Sequence, residues 1–99
     1  MIVVNAVVTS KPEDIAALQS AIHTMEAASR EESGCNDYTF SVELNNPNKL
    51  RITEKWLSLE ALRAHMATPH MAEFQAAMGA HPQASLEVKS YEVTEIQSL

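Results

Sequence analysis

The strongest candidate for proton chemistry in this sequence is Glu54, which lies in a segment where polar and apolar residues alternate. The alternation places Glu54 on the same side of a strand as Ile52 and Trp56. Because an apolar environment disfavours the charged form of a carboxyl group, we expect the pKa of Glu54 to rise toward neutrality. Glu54 is therefore a candidate proton acceptor or donor. The alternative is a buried structural carboxylate, bonded to a histidine or to a helix N-terminus.

Two of the four histidines, His65 and His70, fall where helices are predicted. His65 follows the inward-facing Leu62 by three positions, and His70 precedes Phe74 by four, so each shares a helix face with an apolar residue. Because imidazole titrates near neutral pH, a histidine beside an apolar pocket is a candidate base for an acidic phenol or enol. A histidine that only packs or makes a structural hydrogen bond is the commoner alternative.

We predict no metal site. His65 and His70 stand on either side of a predicted helix break, unlike the i, i+4 pair of a zinc protease, and no cysteine or carboxylate completes a ligand set. The lone Cys35 cannot form an internal disulfide, so nothing requires an oxidising compartment, and we expect a cytoplasmic protein.

Asn5 interrupts an apolar strand. It is predicted to be a buried amide that orients a ligand or bonds to a neighbouring side chain.

Hydrophobic periodicity predicts the order strand, helix, strand, strand, two helices, strand. The predicted bounds are strands over 2–9, 35–44, 50–57 and 86–93, a helix over 11–33, and shorter helices that begin after Ser58 and Thr68. Ser10 and Glu13 form a candidate capping box for the first helix, and Gly34 ends it. A change of parity near residues 89–90 suggests a bulge in the last strand or a strand that changes neighbours.

The second and third strands are predicted to form a hairpin around a turn at residues 45–48. Pairing Leu44 with Leu50 would set Tyr38 opposite Trp56 and Phe40 opposite Glu54. On the other face of the hairpin, Glu43 would meet Arg51. The helices that begin after Ser58 and Thr68 are predicted to turn six apolar residues inward: Leu59, Leu62, Met66, Met71, Phe74 and Met78.

Two β-α-β halves around a central hairpin predict an α+β fold of the ferredoxin-like, split β-α-β type, as a single domain over residues 1–99. Its helices cover one face of an antiparallel sheet. Because the first strand is apolar on both of its faces, the second sheet face is expected to be buried against the sheet of another copy. The sequence therefore predicts a homodimer.

Charge and composition exclude several classes of protein. The net charge is −6, and there are 7 basic residues without a basic run, so we expect neither nucleic acid nor an anionic membrane as a partner. The sequence contains no run of 18 apolar residues, the length that a helix needs to span a bilayer. With only two glycines, Gly34 and Gly79, the sequence cannot contain a dinucleotide-binding GxGxxG turn or a phosphate-binding loop.

A linked set of motifs along most of the chain resembles the antibiotic biosynthesis monooxygenase family, and its small quinol monooxygenase branch in particular. The set consists of Glu31-Glu32-Ser33-Gly34-Cys35, Tyr38, Glu54-Lys55-Trp56, Ser58-Leu59-Glu60-Ala61-Leu62, His65 and Thr68-Pro69-His70. The resemblance implies a dimeric α+β barrel with one pocket per subunit between helices and sheet. It also implies oxidation of a quinol or polyhydroxylated aromatic by dioxygen, without a cofactor.

In that mechanism His65, oriented by Glu54, is expected to take the phenolic proton. The residues expected to offer hydrogen bonds to substrate oxygens are Asn5, Tyr38 and His70, and those expected to clasp the ring are Phe40, Trp56 and Phe74.

Two other functions stay open: a non-enzymatic small-molecule-binding or stress-response dimer, and an isomerase of a small phosphorylated sugar. Haem-degrading relatives share an asparagine at the position of Asn5. They also need a tryptophan and a ligating histidine where this sequence has His65 and Gln75, so haem chemistry is not expected.

Overall fold

The computed structural model describes residues 1–98 and contains four strands and four helices in them. The strands form where hydrophobic residues alternate, and the helices form where they recur every three or four positions. In chain order these are β1 (Ile2–Thr9), α1 (Pro12–Ala17), α2 (Gln19–Arg30), β2 (Cys35–Glu43), β3 (Asn46–Trp56), α3 (Leu59–Met66), α4 (Pro69–Ala80) and β4 (Ser85–Glu92). The strand order is β2-β3-β1-β4, and each neighbouring pair is antiparallel. This is the ferredoxin-like α+β arrangement that the sequence predicts.

The centre of the core is β1, which lies between β3 and β4. Its alternate residues Ile2, Val4, Ala6 and Val8 are buried beneath the helices, together with Trp56 of β3. Burying each of the larger side chains stabilises the fold by about 1.5–3 kcal/mol. This apolar layer is the surface on which the candidate site is built.

The other face of the sheet is apolar only along β1. Val3 and Val7 are half-buried there, but Asn5 between them is exposed. The cross-strand neighbours of these three residues are Arg51, Thr53 and Lys55 on β3, and Glu87, Lys89 and Tyr91 on β4. In the single chain Asn5 is therefore not the buried amide that was predicted, because its parity places it on the face without helices.

The first helical segment departs from the prediction at both its start and its middle. Lys11 is the N-cap of α1 and no side chain caps it. The Ser10 backbone N–H instead donates to the Asn48 carbonyl at 2.9 Å, which keeps Ser10 tied to the sheet and rules out the capping box. The predicted single helix is also divided, because the fully buried Leu18 separates α1 from α2.

The hairpin register is shifted by two residues from the predicted one. Its connection is Leu44-Asn45, so that Val42 pairs with Leu50 and Tyr38 pairs with Glu54. Because side chains alternate with period two, this shift leaves each residue on its predicted face and changes only its partner. Glu43 still reaches Arg51, as an ion pair with a distance of 3.0 Å between Oε2 and Nη2.

The two later helices begin where the sequence predicts. Ser58 accepts a hydrogen bond from the Ala61 N–H at 3.2 Å, and Thr68 accepts one from the Met71 N–H at 3.3 Å. Leu59 and Met66 were expected to face inward, but each is about half exposed because α3 presents only part of its surface to the sheet. Among the helices described, none combines the length and apolarity that a bilayer crossing requires.

The last strand contains no bulge. The pairing of β4 with β1 runs without interruption from Thr9 opposite Ser85 to Ile2 opposite Glu92. Every residue of β4 is exposed, so neither face imposes an alternation of polar and apolar residues. The change of parity at residues 89–90 therefore does not correspond to a change in the backbone.

Gly34 has the left-handed backbone that its sequence position predicts, with φ of +82°, but it does not cap the helix, because α2 already ends at Arg30 with Glu31 as its C-cap. A Cβ at this position would lie 2.8 Å from the Ala61 Cβ. Its carbonyl also accepts a hydrogen bond from the Leu57 N–H at 2.7 Å. The absence of a side chain at Gly34 therefore allows the end of the first helical segment to pack directly against the start of α3.

We expect Gly34→Ala to lower the free energy of unfolding by about 2–4 kcal/mol, because it adds left-handed backbone strain to a steric overlap. Gly79→Ala is the matched control, because a Cβ at Gly79 meets nothing within 4 Å. That change should be neutral or stabilise by up to about 1 kcal/mol. Urea unfolding of the two variants measures both values, and equal stabilities would contradict this account of Gly34.

Candidate active site

A cavity of about 720 Å³ lies between the sheet and helices α3 and α4, on the side that faces β4. Its floor consists of the β1 and β3 residues Val4, Ala6, Ile52 and Glu54 together with Tyr38, and Leu86, Val88 and Ser90 of β4 extend it. Residues of α3 and α4 form the roof: Leu62, Met66, Met71, Phe74, Gln75, Met78 and Gly79. Most of this wall is apolar, as is typical of a small-molecule pocket.

The carboxyl group of Glu54 is the titratable acid in this wall. Glu54 is 8% exposed, and its Oε1 accepts a hydrogen bond from the Trp56 Nε1–H at 2.8 Å. Burial raises the pKa of Glu54, although the Trp56 hydrogen bond and the nearby His65 partly oppose the shift. The strand alternation predicted both the burial and the direction of the shift.

The Tyr38 hydroxyl is a neutral hydrogen-bonding group beside Glu54. Burial raises the pKa of Tyr38 far above its ordinary value, and the negative charges of Glu54 and Glu32 raise it further. The ring lies at the centre of an aromatic cluster, with its centroid 5.2 Å from that of His65 and 5.8 Å from that of Phe40. This packing fixes the direction of the phenol group.

His65 lies behind the cavity wall. It is 1% exposed, and its ring packs 4.7 Å from the Trp56 ring, centroid to centroid. Its Nδ1 is 2.6 Å from Glu32 Oε2, so Glu32 orients this histidine. The expectation that Glu54 orients it is wrong, because the Glu54 hydrogen bond in the described chain goes to Trp56. The buried Nε2 of His65 has no hydrogen-bond partner among the described residues.

Glu32 joins both helix histidines through one oxygen. Its Oε2 is also 2.7 Å from His70 Nε2, so the end of the first helical segment, the end of α3 and the start of α4 meet here. Contrary to the prediction from sequence, a carboxylate does complete a possible ligand set, since Glu32, His65 and His70 offer three donor atoms within 4.8 Å of one another. A separation of 33 positions between Glu32 and His65 concealed this contact.

The structure divides the eight predicted site residues among four places. Tyr38, Glu54 and Phe74 line the cavity. Trp56 and His65 are buried behind that wall, and the half-buried Phe40 lies with its ring centroid 5.4 Å from that of Phe74. His70 belongs to the cluster with Glu32. Asn5 is on the opposite face of the sheet, so the expectation that it binds the ligand is wrong for a pocket under the helices.

Sequence reasoning missed several wall residues. Met66, Met71 and Met78 were assigned to packing, yet they line the roof of the cavity, where flexible thioethers adapt to the shape of a ligand. Polar groups come from Gln75, Gln83 and Ser90. The helical spacing of the methionines could have indicated the roof, but nothing in the sequence pattern singles out the two glutamines.

Comparisons with known proteins agree with this geometry. Residues 1–77 match the sequence profile of a family described as antibiotic biosynthesis monooxygenase. An uncharacterized protein of Synechocystis sp. is 30% identical over 98 residues, which cover 99% of this chain and 67% of that protein.

Solved structures show the same fold. A candidate antibiotic biosynthesis monooxygenase of Deinococcus radiodurans superposes with a TM-score of 0.91 at 27% identity, covering 100% of this chain and 98% of that one. A protein of the same description from Nitrosomonas europaea has a TM-score of 0.89 at 17% identity, covering 96% and 100%, and shows likeness of fold alone. The sequence match over residues 1–77 shows that the chain belongs to the antibiotic biosynthesis monooxygenase family.

Proposed function

We propose that the chain is a cofactor-independent monooxygenase that oxidises a quinol or a related polyhydroxylated aromatic with dioxygen. One observation carries the proposal: a carboxyl group with a raised pKa, Glu54, opens into an otherwise largely apolar cavity. A desolvated carboxylate is a stronger base than one in water, and a phenol is the kind of weak acid that such a base can deprotonate. Family membership supports a monooxygenase.

The cavity suits an uncharged aromatic molecule. Its volume of about 720 Å³ lies within the ordinary range for small-molecule sites and exceeds what one or two fused rings need. Phe74 and the methionines provide apolar contacts with a ring. No lysine or arginine of the described chain lines the cavity, which counts against the phosphorylated substrate of an isomerase.

The proposed reaction needs one base and the exclusion of water. Glu54 accepts the proton of a ring hydroxyl, and the resulting phenolate is electron-rich enough to pass an electron to dioxygen. The two radicals combine at a ring carbon, and loss of water from the peroxide leaves a carbonyl. One dioxygen molecule is consumed. One of its oxygen atoms enters the ring compound as the carbonyl oxygen, and the other leaves as water with two hydrogen atoms from the ring compound. The substrate supplies all the electrons.

The surrounding residues act on Glu54 or on the phenolate. The Trp56 Nε1–H holds one carboxyl oxygen in place. Tyr38, which stays protonated, offers a hydrogen bond to a substrate oxygen. Because His65 is buried behind the wall, Glu54 and not His65 contacts the substrate. His65 then becomes a positioning residue, which packs on the Trp56 ring whose Nε1–H holds Glu54.

We also propose that the chain forms a homodimer through the sheet face that carries no helices. Val3 and Val7, on either side of Asn5, define an apolar strip along β1 at the centre of that face, and Tyr91 of β4 pairs with Val3. The charged side chains around the strip would form the polar rim of an interface.

Glu54→Gln should lower turnover by about 10²–10⁴-fold, the usual contribution of an acid–base group, while the amide still fits beside Trp56. The assay is oxygen uptake with mass spectrometry of the product, on metal-stripped protein and a panel of hydroquinones and dihydroxynaphthalenes. Glu60→Gln on the exposed side of α3 is the matched control and should keep full turnover. Turnover of the Glu54 variant within about twofold of wild type would exclude Glu54 as the base.

The same assay separates the proposal from a binding protein. A ring compound that binds saturably to the wild-type chain without oxygen uptake or product would contradict the monooxygenase and favour the non-enzymatic module. Product formed under anaerobic conditions would favour an isomerase.

The raised pKa of Glu54 makes folding stability depend on pH. The folded chain retains this proton at pH values above 4.5 where the unfolded chain has released it, so the free energy of unfolding falls as pH rises through that interval. Glu54→Gln removes this loss. Urea unfolding should show the variant gaining stability relative to wild type as the pH rises above 4.5. A difference that is constant with pH would contradict the assigned burial.

Sedimentation equilibrium tests the dimer. At micromolar concentration the wild-type chain should have twice its monomer mass of 10.9 kDa. Val7→Lys should shift it toward the monomer, since it places a charge in the apolar strip. Val42→Lys, at a half-exposed position on the far edge of the other sheet face, is the control. A wild-type mass near 10.9 kDa would exclude the dimer at that concentration.

A further inference from the structure

We infer that Glu32, His65 and His70 form a binding site for a divalent transition-metal ion of the zinc type. This cluster lies behind the cavity wall and takes no direct part in the proposed oxidation, so the inference stands whether or not the chain is a monooxygenase. Its evidence is the convergence of two imidazoles and one carboxylate from three separate helix ends.

The donor atoms are close to the distances that coordination needs. Glu32 Oε2 lies 2.6 Å from His65 Nδ1 and 2.7 Å from His70 Nε2, and all three atoms fall within 4.8 Å of one another. Zinc–ligand bonds of about 2.0–2.2 Å in a tetrahedron separate neighbouring ligand atoms by roughly 3.3 Å. The oxygen must therefore move outward by roughly 0.6–0.7 Å from each nitrogen. Glu32 follows the last turn of α2, and its long side chain can make that movement.

The two nitrogen donors are held in place before any ion arrives. The His65 ring packs between Trp56 and Tyr38, at centroid distances of 4.7 and 5.2 Å. His70 lies in the first turn of α4, which Thr68 caps. Such preorganisation reduces the entropy lost when the ion is bound.

The local charge also favours a cation. The ion-pair partners of Glu32 in the described chain are His65 and His70, and each histidine balances a carboxylate only when it is protonated. A divalent ion would place positive charge directly beside the Glu32 carboxylate.

The site is reachable from solvent. The side chains of Glu32 and His70 are 14% and 18% exposed, although His65 is almost fully buried. Three protein ligands and a water molecule complete a tetrahedron. Two imidazoles with one carboxylate favour zinc, cobalt or nickel over magnesium or calcium, which prefer oxygen ligands.

Titration of the tag-free, chelator-treated full chain with Zn²⁺ in a calorimeter tests the inference, with Co²⁺ as a spectroscopic probe. We expect one ion per chain, visible d–d absorption with Co²⁺, and a higher Tm with Zn²⁺ because the ion binds only the folded chain tightly. In NMR spectra of the wild type, the ring N–H protons of His65 and His70 that face Glu32 should disappear as Zn²⁺ is added.

Variants locate the ion. Glu32→Gln and His70→Gln should each weaken Zn²⁺ binding by at least about 100-fold, whereas His23→Gln, at an exposed position on α2, should leave it unchanged. Circular dichroism checks that each variant is folded. If a variant is unfolded, the ion is located instead by the loss of the His65 and His70 ring N–H signals in the wild-type chain. Absence of saturable binding at about 0.1 mM Zn²⁺, or equal affinity in all variants, would overturn the inference.

Discussion

The burial of one carboxyl group among apolar side chains is the constraint on which the rest of this site depends. Glu54 lies on the buried face of β3 because its neighbours on that face, Ile52 and Trp56, must pack under the helices. The desolvation penalty is partly offset by the Trp56 hydrogen bond and by the nearby His65. What remains is a carboxyl group with a raised pKa, held rigidly at the floor of a cavity.

A second layer of polar contacts supports this group from behind. Glu32 holds His65 and His70, and His65 in turn packs on the rings of Trp56 and Tyr38. This layer depends on the close approach at Gly34, where a side chain would overlap Ala61. Buried hydrogen-bonded networks of this kind fix side-chain directions that apolar packing alone leaves open.

The cavity itself results from incomplete coverage of the sheet. The helices cover β1 and β3, but β4 is exposed along its whole length, and its residues Leu86 and Val88 line the open side. Methionines in the roof leave a space that branched, rigid side chains would close more fully. A site able to admit an aromatic molecule therefore forms where packing is least complete.

The sequence by itself determined the element order, the faces of the strands, the caps at Ser58 and Thr68, and the burial of Glu54, because each follows from periodicity or from contacts within a few residues. The tertiary structure decided what depends on distant contacts. Tyr38 pairs with Glu54 because the hairpin turn moved the register by two residues, and Asn5 fell on the open face because only one side of β1 is covered. Glu32 met His65 across 33 positions, since local pattern carries no information about which helix ends approach one another.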